Sequence, residues 1–305
     1  MPTADTASTD AQAVHARPGL ALTAESLELR YEQRTVATDL SVALPAGKVT
    51  AIVGPNACGK STLLRAMARL LAPKAGRVLL DDRDVRRLSP KELAKRVGLL
   101  PQSSTAPGGL TVAELVARGR HPHQRMLQQW SAEDAAAVDR ALAATSTAEL
   151  ADRPLAELSG GQRQRAWLAL LLAQDTPVLL LDEPTTYLDI AHQLEVLELC
   201  HRLNREQGRT VALVLHDLEQ ACRYADHLVV MRDGTVLAAG APREIMTEEL
   251  IARAFGVRAL VQENPVTGTP LIVPIASLDE AAGAAAGAAS GTAAAAAADA
   301  GRGAA

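Results

Sequence analysis

Three short apolar runs stand out along the chain: Val49-Thr50-Ala51-Ile52-Val53, residues 178–181 and residues 211–215, built almost wholly from Val, Leu, Ile and Ala. Unbroken runs this short, bounded by turn residues, predict strands covered on both faces, as in a parallel sheet flanked by helices. Between the second and third, Val196, Leu199, Cys200 and Leu203 recur at the spacing of one helix face. Residues 20–44 read as two strand pieces ending at a Pro45-Ala46-Gly47 turn, and residues 61–71 as an apolar-rich helix. Asp233-Gly234, between two strand-like stretches, signals a hairpin. A short helix after Thr247 and a second hairpin around Asn264-Pro265-Val266-Thr267-Gly268 close the patterned region.

The middle of the chain changes character. Ser89-Pro90-Lys91-Glu92, Thr111-Val112-Ala113-Glu114 and Ser131-Ala132-Glu133-Asp134 are helix starts, each pairing a hydroxyl that accepts a backbone N–H with an acid that bonds back. They predict a helical block over residues 87–170. From residue 281 onward Leu, Ile, Val and Phe disappear in favour of Ala and Gly, a composition that cannot bury a core. The expected organisation is a disordered segment at 1–19, one domain at 20–275 and a disordered tail at 276–305.

Composition narrows the chemistry. Of 305 residues, 48% are hydrophobic but only 2% aromatic, so aliphatic side chains fill the core and a Tyr beside a motif carries weight. A net charge of −4 argues mildly against a general nucleic-acid binder, which would normally show a basic face, and leaves local patches open. Cys58, Cys200 and Cys222 are widely spaced, as expected of free thiols in a reducing compartment. Residues 1–18 lack an apolar stretch and do not read as a signal peptide, and no membrane span is expected.

Gly54-Pro55-Asn56-Ala57-Cys58-Gly59-Lys60-Ser61 follows a predicted strand and opens a predicted helix, the context that makes a phosphate-binding loop credible. Its backbone N–H groups would wrap phosphates at a helix N-terminus. Lys60 would reach the outer phosphates, and the Ser61 hydroxyl would ligate Mg²⁺. Asp182 and Glu183 end the leucine strand, where ligands collect at the carboxyl edge of a parallel sheet. Asp182 suits a Mg²⁺ partner, and Glu183 a base that polarises or orients attacking water. His216 follows the next strand and lands beside Glu183 if the two strands are neighbours. His121-Pro122-His123 invites a metal reading, but residues two apart do not share a helix face, and an exposed docking loop fits better.

With Leu158-Ser159-Gly160-Gly161-Gln162 added, the set resembles the nucleotide-binding subunits of ATP-binding cassette (ABC) transporters over about residues 22 to 275. The resemblance implies an α/β P-loop NTPase fold: an N-terminal antiparallel β-subdomain, an α/β nucleotide-binding core and an inserted α-helical subdomain. It implies an ATPase in which Ser159, Gly160, Gly161 and Gln162 form a signature gripping ATP held by a second copy of the subunit. Gln102 then matches the Mg²⁺-sensing glutamine loop, Asp189 the loop that crosses between subunits, and His216 the switch histidine. Thr62 completes the phosphate-loop set. Tyr31 matches the aromatic that stacks on adenine, core packing being its competing use. Two departures stand out: Ala57 where the family usually has Gly, and Cys58 where Ser is commoner. Cys58 reads as a small residue filling space rather than a redox group; a thiol-alkylating reagent should still block ATP binding, with Mg-ATP protecting.

Residues 54–64, 118–123, 185–193 and 216–226 resemble the iron–siderophore branch of importers. That implies import of an iron(III)–siderophore through separate membrane permease subunits, with a substrate-binding protein acting indirectly. The subunit would sit peripherally on the cytoplasmic face of the membrane. Haem or cobalamin import and a soluble non-transport ABC ATPase are the alternatives.

Overall fold

The computed structural model describes residues 19–32, 34–103, 108–124, 130–186 and 188–278. The N-terminal segment 1–18 and the Ala/Gly tail from 279 lie outside the described residues. Gly19 is described, its N–H bonding the Gly208 carbonyl at 2.8 Å.

In chain order the elements begin with β1 (Leu22–Tyr31), β2 (Arg34–Leu44), β3 (Val49–Val53), α1 (Lys60–Met67), β4 (Ala75–Leu80), β5 (Arg83–Asp84), α2 (Pro90–Ala94) and β6 (Val97–Leu100). The helical layer holds α3 (Val112–Ala117), α4 (Ala132–Ala144) and α5 (Gly160–Ala173). Then come β7 (Val178–Asp182), α6 (Ile190–Gln207), β8 (Thr210–Val214), α7 (Leu218–Tyr224), β9 (His227–Arg232) and β10 (Thr235–Gly240). The last elements are α8 (Pro242–Ile245), α9 (Glu248–Phe255), β11 (Val257–Glu263) and β12 (Pro270–Ser277).

The three apolar runs are the central strands β3, β7 and β8, every residue of which is buried. They belong to a six-stranded sheet ordered β10-β9-β3-β8-β7-β6, parallel except for the β9–β10 hairpin. Alternate residues serve opposite faces. Val49, Ala51 and Val53 pack among the helices of the middle and C-terminal parts, while Ile52 faces α1 and the N-terminal strands. That N-terminal part is a four-stranded antiparallel sheet ordered β2-β1-β4-β5. Continuous apolar strands are thus explained by burial from both sides.

The expected helical block at 87–170 is interrupted. Val97-Gly98-Leu99-Leu100 is the edge strand β6, paired in parallel with β7. A Cβ on Gly98 would come within 2.5 Å of the Leu171 side chain. Glycine therefore lets α5 lie close against this edge, which a reading of the four residues as helix or turn could not anticipate.

The expected caps form. Thr111 with Glu114 and Ser131 with Asp134 make reciprocal capping boxes, each worth about 1 kcal/mol. Ser89 accepts from the Glu92 N–H, but the Glu92 carboxylate turns to Arg96 at 3.0 Å instead of bonding back. Helix α1 stops at Met67, short of the expected 71, where Arg69 adopts φ +58°. The final hairpin β11–β12 forms as expected and extends to Ser277, past the anticipated boundary at 275.

Candidate functional site

Four neighbouring parallel strands deliver their carboxyl ends to one edge of the sheet: β3 into the glycine loop, β8 into His216, β7 into Glu183 and β6 toward Gln102. A cleft of about 930 Å³ opens there, lined among others by Tyr31, Lys60, Ser61, Gln102, Glu183 and His216. Asn56, Ala57, Cys58, Gly59 and Thr62 also border it.

Tight backbone packing shapes the glycine loop. A Cβ on Gly54 would lie 2.1 Å from the Met231 carbonyl oxygen, and Gly59 caps α1 at φ +104°. Ala57 takes φ +62°, a left-handed conformation costing a non-glycine residue about 1 kcal/mol. Lys60, only 5% exposed, donates from Nζ to the carbonyls of Gly54 and Pro55 at 2.8 Å each. The ammonium is therefore already held at the mouth of the loop, among backbone groups able to cradle an anion.

Ser61 Oγ donates to Asp182 Oδ1 at 2.8 Å, while the other oxygen, Oδ2, is buried without a hydrogen-bond partner. Burial pushes the Asp182 carboxyl above its usual range and the Glu183 charge adds to this, against the Ser61 hydrogen bond. A buried carboxylate with a vacant lone pair beside a hydroxyl is a poor arrangement by itself, but it fits a small hard cation. Mg²⁺ is held by one or two carboxylates and by phosphate oxygens rather than by an all-protein cage. Accordingly, no group of three or more His, Cys, Asp or Glu is placed to hold a metal among the described residues. Ser61, Asp182 and Gln102 are the side chains that would hold the ion.

Glu183 is 9% exposed and sits at φ +53°, a strained strand end of the kind found at functional positions. Its Oε1 lies 2.8 Å from His216 Nε2, and its Oε2 accepts from the Thr186 hydroxyl at 3.2 Å. Burial pushes its carboxyl up, but hydrogen bonds from His216, Gln102 and Thr186, with the nearby imidazole, outweigh this and hold it below the ordinary range. A carboxylate kept ionised at the cleft wall can orient water and accept a proton.

Tyr31 is 41% exposed on the cleft, and its hydroxyl accepts from Arg65 at 3.3 Å. Its ring is thus available for stacking and is not consumed by the core.

Ser159, Gly160, Gly161 and Gln162 are not among the residues lining this cleft. Ser159 caps α5 and forms a reciprocal box with Gln162, leaving Ser159 and Gly160 exposed. Such a helix start presents N–H groups and a dipole end to an anion arriving from outside the protomer. Asp189 is likewise exposed; it caps α6, accepting from the His192 N–H at 3.0 Å and contacting His192 Nδ1 at 2.7 Å.

Cys58 packs as a small, space-filling side chain beneath the glycine loop. Its side chain is 4% exposed, packs into the core around α1, and burial raises its thiol pKa. Cys58 borders the cleft, but its side chain is almost wholly buried. His123 donates from Nε2 to the Gln174 carbonyl at 2.8 Å, a structural bond rather than a metal contact.

Sequence reading missed Arg34, Thr35, Val36, Thr186, Asp233 and Gly234, all of which line the cleft. The Gly234 N–H bonds the Cys58 carbonyl at 3.1 Å, and a Cβ on Gly234 would meet the Val36 carbonyl oxygen at 2.1 Å. The tip of the β9–β10 hairpin is therefore wedged between β2 and the glycine loop. Asp233-Gly234 was legible as a turn, but not as a wall of the site.

Comparison with known proteins agrees with this architecture. A family model described as ABC transporter matches residues 37–186. The ferric enterobactin transport ATP-binding protein FepC of Escherichia coli (strain K12) is 55% identical over 254 residues, 83% of this chain and 94% of that protein. The achromobactin transport ATP-binding protein CbrD of Dickeya dadantii (strain 3937) is 50% identical over 83% of this chain and 94% of that protein. The iron(3+)-hydroxamate import ATP-binding protein FhuC of Bacillus subtilis (strain 168) is 46% identical over 82% and 93%. Among solved structures, the dimeric structure of MJ0796, a bacterial ABC transporter cassette, superposes with a TM-score of 0.66 at 27% identity, covering 72% of this chain and 98% of that one.

Proposed function

Because the chain belongs to the ABC transporter family, as an ATP-hydrolysing subunit, we propose that it powers import of an iron(III)–siderophore through separate membrane subunits. No helix among the described residues is long and apolar enough to cross a membrane. The cargo reading rests on the transport named for the relatives at 46–55% identity.

One observation carries the catalytic reading. A single cleft gathers Lys60, Ser61, Glu183 and His216 but leaves out Ser159 and Gly160. The proposed unit is therefore two copies facing each other, with the α5 start of one closing the cleft of the other. Tyr31 receives the adenine face. Lys60 and the loop N–H groups hold the phosphates, and Lys60 exchanges its carbonyl partners for phosphate oxygens. Mg²⁺, when bound, neutralises phosphate charge and orients the terminal group. Glu183, held ionised, aligns the attacking water and takes its proton. His216 fixes the Glu183 carboxylate and donates toward the charge developing on the outer phosphate. Gln102 lies just past the end of β6 and lines the same cleft as Glu183, so displacement of this loop by a membrane partner would act on the catalytic site.

The test is transport. In a strain lacking this chain, uptake of radiolabelled iron(III)–siderophore should be lost, return with the wild-type chain, and not return with Glu183→Gln. Intact siderophore uptake with loss of haem or cobalamin uptake would replace the cargo.

A further inference from the structure

Helix α5 has Ser159 at its start, and its other end is held by a set of buried and part-buried polar contacts. Arg120, 2% exposed, donates from Nε to Asp134 at 2.8 Å and from a terminal nitrogen to the Ala173 carbonyl at 2.9 Å. Asp134 is fixed in turn by the Ser131 hydroxyl at 2.7 Å. His123 Nε2 donates to the Gln174 carbonyl. The Gln174 side-chain amide donates out of the helical layer, to the carbonyls of Ala94 at 2.6 Å and Val97 at 3.3 Å. Two glycines permit this closeness: a Cβ on Gly119 would meet the Leu170 carbonyl oxygen at 2.4 Å, and one on Gly98 would press on Leu171.

These contacts join the two parts of the machinery that lie apart. Gln174 follows the last residue of α5 and grips the start of β6, and β6 leads through Pro101 to Gln102, which lines the same cleft as Glu183. Over its 14 residues, α5 spans about 21 Å, so a small tilt at its held end becomes a larger displacement at Ser159. We propose that Gln174, backed by the buried Arg120–Asp134 pair, is a positioning residue for hydrolysis: its amide sets where the Ser159 end of α5 stands relative to Gln102 and Glu183. The proposal rests on the two-copy reading above.

The test compares the full-length wild type with Gln174→Ala, Gln174→Glu, which keeps the shape but loses the donor, and Gly119→Ala, which pushes the 118–120 turn off α5. Nucleotide affinity of the dilute single chain should stay within about twofold of wild type, because the glycine loop is untouched. The kcat should fall between about tenfold and a hundredfold, the scale of an ångström-size misplacement, with KM little changed. Spin labels at Glu157→Cys and Arg87→Cys, both exposed, should report a broadened distance in Gln174→Ala. Wild-type kcat in Gln174→Ala and Gln174→Glu overturns the proposal. So does a kcat loss that tracks a fall in melting temperature and in nucleotide affinity, because that marks general loosening. Failure of the two-copy reading is seen separately, as a wild-type rate per molecule that does not change on dilution.

Discussion

The edge of the six-stranded sheet and the start of α5, both proposed to meet phosphate, are organised oppositely. At the sheet edge the polar groups are buried, strained and interlocked: Glu183 at positive φ, Asp182 with an unpartnered oxygen, Lys60 almost fully enclosed. At the start of α5 the serine and the first glycine are exposed and satisfied only by their own helix cap. The first region carries unbalanced chemistry that a ligand resolves; the second is a finished surface waiting for a complement. On the proposed two-copy reading, the difference teaches that catalytic residues gather where one chain can enclose them, while the α5 start faces outward to serve another copy.

The largest effects should come from the enclosed region. Glu183→Gln should lower ATP hydrolysis by at least about a hundredfold while retaining nucleotide and accumulating a dimer on gel filtration with ATP. Lys60→Ala should instead weaken nucleotide binding itself by about tenfold or more, read by fluorescent-nucleotide titration. Unaltered turnover in Glu183→Gln would remove that residue from its role.

The contrast sharpens at Cys58. Because the thiol is packed beneath the loop and its pKa is raised by burial, native Cys58 should be alkylated at least about tenfold more slowly than in denaturant, followed by mass spectrometry. Rapid native alkylation that Mg-ATP prevents would return Cys58 to the nucleotide face.

A smaller effect follows from the Glu183 hydrogen bonds. Its folded pKa is depressed, so the unfolded chain takes up this proton first as pH falls. The stabilisation is complete above the ordinary glutamate value of about 4.3 and is lost as pH drops through the lower folded value. Glu183→Gln should remove that part of the acid-side slope in a melting-temperature series. Identical slopes would mean that the His216, Gln102 and Thr186 contacts do not hold the charge. The smallest effect belongs to Ala57→Gly, which relieves a left-handed backbone but loosens the unfolded chain and should shift urea stability by less than about 1 kcal/mol.

Much of the buried region was legible because its chemistry is local. The glycine loop, the acid pair after β7 and the histidine after β8 each follow an apolar run directly, and parallel pairing of β7 with β8 brings His216 to Glu183 as the sequence reading required. What depended on distant packing was not legible. Strand β6 is four residues with a central glycine, and only the approach of α5 explains that glycine. The walls formed by Arg34 and Asp233 come from hairpin tips far apart in sequence, and the inward turn of Cys58 is set by the core beneath it.

The shared-site account is tested most directly by mixing two inactive variants, Lys60→Ala and Ser159→Asp. Aspartate still caps α5 but sets a negative charge against the partner's phosphates. Each variant alone should be nearly inactive. Equal mixing should restore roughly a quarter of the wild-type rate, because half of the twofold pairs then hold one intact site of two. A mixture no more active than its separate components, with mixed dimers shown to form, would contradict the account.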